Sequence, residues 1–162
     1  MMQPIVFYVQ MFADSSEEDL EDSKQKLLIL FKALVMTNQV FLRRNPNTIA
    51  LYDSGVVYQP EFSTEEWQDI PTTLARGFGD CEDLAAYRVA ELRSQGVAAN
   101  PHIRWRKIGG SYRFHALVKW PDTIRNGVKV KGRIEDPSRR LGMAKWANYL
   151  SIKPSASDSE NF

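Results

Sequence analysis

Apolar positions first recur at helical spacing and later at strand spacing along this chain. Over residues 14–42, Leu20, Leu27, Leu28, Phe31, Leu34 and Val35 fall on one helical face. Asp14-Ser15-Ser16-Glu17 caps that helix, its acidic start and basic end at Arg43-Arg44 suit the macrodipole, and Asn45-Pro46-Asn47 stops it. A second stripe begins at the glycine-rich turn Gly77-Phe78-Gly79, with Cys81, Leu84, Ala85, Val89 and Leu92 on one face of an amphipathic helix. Asp80 is its N-cap, Asp83 completes a variant of the capping box, and Gly96 is the expected left-handed residue after its end.

Beyond Gly96 the period changes to two. Residues 98–105 read as extended, and over 112–120 Tyr112, Phe114, Ala116, Val118 and Trp120 alternate with Arg113, His115, Leu117 and Lys119, which predicts a strand with His115 near its centre. Pro121-Asp122 and Asn126-Gly127 are turn signals, and 128–136 is extended again, so an antiparallel hairpin is expected with His115 and Asp136 on neighbouring strands. Pro137 should end that strand at Asp136. Residues 2–12 read as an extended segment, 47–74 as a loop-rich connection containing Pro60, Glu61 and Pro71, and 151–162 as a frayed Ser-rich tail. Helices followed by antiparallel strands make the fold class α+β, with one domain over 1–150.

Composition narrows the function classes. The 162 residues, 43% hydrophobic and 25% charged, are ordinary globular usage. A net charge of +1 gives no general argument for nucleic acid, and the clusters Arg104-Trp105-Arg106-Lys107 and Arg139-Arg140 read as solvated, charge-protected edges. No run is expected to span a membrane, and the apolar 5–9 stretch lacks the basic flank of a signal peptide, so the expected location is cytoplasmic, without a membrane partner. The single cysteine permits no disulfide within the chain and suits a reducing compartment. Gly109-Gly110 lacks the Walker lysine, Gly77-Phe78-Gly79 is no dinucleotide fingerprint, and Cys81, His102 and His115 lack zinc-ligand spacing; neither metal nor cofactor is expected.

Cys81 is the point of chemical interest. A helix start offers free N–H groups and the positive end of the dipole, which favour thiolate over thiol. Lone cysteines are nonetheless mostly inert core residues. A base and an acid in the following strands alter that balance: His115 can take the thiol proton, and Asp136 can orient the imidazole. His102 competes as the base, and spacing alone does not choose between the two histidines.

Gly79-Asp80-Cys81-Glu82-Asp83, Phe114-His115-Ala116-Leu117-Val118 and Glu135-Asp136-Pro137-Ser138 together resemble the signature blocks of transglutaminase-like cysteine peptidases of the papain-like superfamily. The upstream stretch 51–58 is similar to that of small bacterial and phage-encoded members. The resemblance implies a cysteine-bearing helix packed on an antiparallel sheet, with Cys81 as nucleophile, His115 as base and Asp136 as orienter. It also implies a thiol-dependent hydrolase or acyltransferase acting on an amide or isopeptide bond of a protein or peptide, with phage structural and cell-wall components among the substrates to consider. The Cys81 backbone N–H is the natural first oxyanion donor; Tyr58, Gln59 and Trp67 are the options for a second. The chain has no Asp-x-Asp-x-Asp-Gly calcium loop, so the resemblance stops short of calcium-dependent cross-linking. The competing expectation is a binding or assembly module that keeps this fold with an idle triad.

Overall fold

The computed structural model describes residues 17–61, 65–108 and 111–146. Helix α1 spans Glu17–Arg44, as the periodicity requires, and buries Leu20, Phe31 and Val35. Its expected cap at Asp14-Ser15-Ser16, the extended 2–12 segment and the 151–162 tail lie outside the described residues. After a 3-10 turn at Leu51–Asp53, strand β1 (Val57–Tyr58) pairs in parallel with β2 (Phe78–Gly79). Between them runs α2 (Ile70–Arg76), within the stretch expected to be loop as far as Leu74. Its signals are present but compressed: Asp69 accepts from the Thr72 N–H, Pro71 sits in the first turn, and Gly77 ends it at φ +76°. At 7 residues it is too short to show a helical period.

Helix α3 (Cys81–Ser94) begins and ends where the sequence placed it, and Gly96 takes φ +83°. It is not amphipathic. Glu82, Asp83, Leu84, Ala85, Ala86, Tyr87, Val89, Ala90, Glu91 and Leu92 are all buried, so α3 is the central helix, covered on every side. One side packs with Phe31, Val35, Ile103, Ala116 and Val118 from α1 and the sheet; the other meets Leu51, Val56, Tyr58 and Ile70. Cys81 touches both clusters. Asn38, fully buried on α1, accepts from the Ile70 N–H at 2.9 Å and ties α1 to the start of α2.

The main sheet is antiparallel, in the order β3 (Asn100–Ile108), β4 (Ser111–Lys119), β7 (Ile134–Glu135). Ala116 and Val118 of β4 face the core with α1 and α3, as the alternation predicts. The expected hairpin is corrected. Asn126-Gly127, both at positive φ, close a separate small hairpin of β5 (Thr123–Arg125) and β6 (Val128–Val130), all of whose residues are exposed. The chain is pinched below it: Trp120 N–H donates to Arg133 O at 2.8 Å and Gly132 N–H to Asp122 Oδ1 at 2.8 Å. A Cβ on Gly132 would lie 2.1 Å from the Trp120 carbonyl oxygen, so only glycine permits that approach. Only β7, beyond the pinch, rejoins β4. Asp136 ends it, and Pro137–Arg140 forms the short helix α4. The molecule is therefore mixed α+β, with helices packed on an antiparallel sheet.

The expectation about spanning length also needs amending. The stretch Glu18–Arg44 of α1 is long and apolar enough to cross a membrane by length and composition.

Candidate active site

The loop before α3 and strand β4 meet at the first turn of α3. The Asp80 N–H donates to Asp83 Oδ2 at 3.2 Å, the Asp80 side chain accepts from the Asp83 N–H, and the predicted capping box is thereby complete. Asp83 Oδ1 takes the Gln68 N–H at 2.6 Å, which binds the preceding loop to the helix start. Gly79 is required here, because a Cβ on it would come within 2.9 Å of Asp83 Cβ.

The second element is β4 with its neighbour β7. His115 Nε2 lies 2.9 Å from Asp136 Oδ2. Asp136 Oδ1 meanwhile accepts the Arg139 N–H at 3.1 Å, making Asp136 the N-cap of α4. With Nε2 engaged by the carboxylate, Nδ1 is the ring nitrogen left for a proton transfer. The structure does not give His102 the same partner. It stands opposite Leu117 on β3, and burial, followed by the charges of Arg104, Lys119 and Lys24, lowers its pKa.

Cys81 packs against the cluster that contains Ala116 of β4, the residue after His115. Its thiol hydrogen bond goes to Glu82 Oε2 at 3.1 Å and not to the imidazole. The expectation that the helix start favours thiolate is overturned in this environment. Burial, then the carboxyls of Glu82 and Asp80, push the thiol pKa well above its ordinary value, and the Ala116 N–H offsets this only in part. Helix-end partial charges act over one turn, whereas enclosed carboxylates act at contact.

Those carboxyls are themselves perturbed. Burial leads in each case: Asp80 is raised to about 7 and Asp83 to about 8, while Glu82, enclosed beside both, goes well above its usual range. Asp80 Oδ1 and Glu82 Oε1 have no hydrogen-bond partner among the described residues. Oxygens of Glu61, Glu65 and Asp80 lie within 4.8 Å of one another, a donor set suited to a hard, oxygen-preferring cation and unlike the Cys/His sets of zinc. Sequence reasoning missed this cluster, although the acidic residues on either side of 62–64 were its signal.

Of the oxyanion options, Tyr58 belongs to the apolar cluster against which Cys81 packs. It is buried, and after burial the charges that raise its phenol pKa are those of Cys81, Asp80, Glu82 and Asp136. Gln59 is half-buried, and its backbone N–H is used by Gly79 O at 3.0 Å. Trp67 packs against the α1–α3 cluster beside Cys81. The neighbouring Gln68, not singled out by the sequence, is buried with neither amide atom hydrogen-bonded among the described residues.

Behind the pair, Glu135 is clamped by the Tyr52 hydroxyl, Arg88 Nε at 2.8 Å and Trp120 Nε1 at 2.6 Å. Burial pushes this carboxyl up, but the hydrogen bonds from Tyr52, Trp120 and Arg88 outweigh it and hold the pKa below the ordinary range. Arg88 also reaches Glu91 at 2.6 Å, so the strand end carrying Asp136 is bolted to α3.

No protein-family model, curated protein or solved structure matches the chain.

Proposed function

We propose that this chain is a transglutaminase-like cysteine peptidase or amidase, forming an acyl-enzyme on Cys81 from an amide or isopeptide bond of a protein or peptide. The observation that carries the reading is the His115–Asp136 pair, with His115 on the strand whose next residue, Ala116, belongs to the cluster against which Cys81 packs. His115 Nδ1 takes the thiol proton as sulfur attacks the carbonyl carbon, and the same nitrogen returns it to the leaving amine as the C–N bond breaks. Water, deprotonated by the same imidazole, then cleaves the thioester and releases the acid. Asp136 holds the ring and its tautomer throughout. The Cys81 N–H at the helix start is the first donor to the developing oxyanion, and Tyr58, from the cluster against which Cys81 packs, is the second.

The acidic surroundings of the thiol favour the competing reading, a binding or assembly module with an idle triad. Acyl-enzyme trapping separates the two. Incubation with an activated peptidyl-glutamine ester, followed by mass spectrometry, should find acyl on Cys81 in wild type, with the rate reduced about 10²- to 10⁴-fold in His115→Ala. Equal labelling in both proteins leaves the assembly module standing.

A further inference from the structure

The outer face of α1 has an unusual composition. Glu18–Arg44 is apolar enough to span a bilayer, yet only 22% of its most apolar window is buried inside the molecule. Ile29 is 66% exposed, Met36 65% and Val40 37%, and Ala33 between them is exposed as well. At 3.6 residues per turn these four lie within about 60° of one another around the helix. The same line continues to exposed Asp22 on the N-terminal side and to exposed Arg44 on the C-terminal side. Half-exposed Lys26 lies on the same line between Asp22 and Ile29, so the stripe reads acid and base, then apolar, then base.

The two ends of that stripe are complementary under a twofold axis, with the aliphatic stem of Lys26 lying against Val40 of the other copy. A twofold axis crossing an antiparallel pair of α1 helices at Ala33 sets Asp22 of one copy opposite Arg44 of the other, because each lies about 16 Å from the axis along the helix. Ile29 and Met36, four residues before and three after Ala33, then meet across the interface. The small Ala33 side chain lets the two backbones approach, and antiparallel dipoles add to the attraction. Within one chain neither Asp22 nor Arg44 has an ion-pair partner among the described residues.

We infer that the chain forms a symmetric dimer through antiparallel α1 helices, with Ile29, Ala33, Met36 and Val40 as its apolar seam and reciprocal Asp22–Arg44 pairs at its two ends. One helix face buries a modest area, so the dimer is reversible.

Sedimentation velocity on the full chain over roughly 1–200 μM tests this. Wild type should shift from monomer to dimer with concentration, and Met36→Glu should weaken association at least about tenfold with an unchanged circular-dichroism spectrum. Asp22→Lys and Arg44→Glu should each weaken it, while the double variant D22K/R44E restores it by reversing both partners together. Failure of the double variant to recover overturns the register. A wild-type monomer at every concentration overturns the dimer, including one that binds phosphatidylglycerol vesicles through α1. The readout is mass, so the outcome is independent of any activity at Cys81.

Discussion

Asp136 serves two partners with two oxygens: one holds His115, the other caps α4. Asparagine can keep the cap but would present its amide N–H₂ to the ring, favouring the wrong tautomer. Asp136→Asn is therefore expected to lower the acylation rate of Cys81 by about 10³- to 10⁴-fold with little loss of stability, measured by burst kinetics and denaturant titration. Glu82 sets the opposite influence, since its carboxyl takes the thiol hydrogen bond and raises the thiol pKa. Glu82→Gln removes the carboxyl that raises the thiol pKa, so the pH–rate profile for alkylation should move to lower pH. An unmoved profile would show that burial alone governs the thiol. Tyr58→Phe should slow acylation by about 10- to 10³-fold if its hydroxyl serves the oxyanion.

At the scale of elements, the signals that can be read from sequence are local ones. The ends of α3 followed from Asp80, Asp83 and Gly96, and the two faces of β4 from strict alternation. What escaped depends on contacts distant in sequence. The β5–β6 hairpin fulfils Asn126-Gly127 yet stands apart from β4, because Pro121 and the backbone approach at Gly132 divert the chain, and no periodicity records such an approach. The burial of Glu82, Asp83 and Glu91 on α3 was illegible for the same reason: a polar residue on a helix reads as solvated until its neighbours are known. The Cys81, His115 and Asp136 positions were legible as residue types, but their electrostatic setting was not. Two variants test the supports. Gly79→Ala must displace Asp83 and is expected to cost about 1–3 kcal/mol while disturbing the capping box. Glu135→Ala leaves Arg88 and Trp120 without their buried acceptor and should cost about 3–5 kcal/mol by denaturant unfolding.

For the whole molecule, the carboxyl cluster around Cys81 makes stability depend on pH. Asp80, Asp83 and Glu82 hold their protons more tightly folded than unfolded. Their contribution is thus fully present below the ordinary carboxylate range near 4 and is lost as pH rises through about 7 and about 8. The urea midpoint should fall from pH 5 to pH 8.5, and Glu82→Gln should flatten that fall. The same cluster suppresses the resting thiolate, so the reactivity of Cys81 rests on proton transfer within the site. The most direct measurement is the rate of Cys81 alkylation by iodoacetamide against pH in wild type and His115→Ala. Wild type should show an imidazole-dependent limb that vanishes in the variant, leaving only a slow, alkaline rise. Superimposable profiles would contradict that transfer, because the ring would then take no proton from the sulfur.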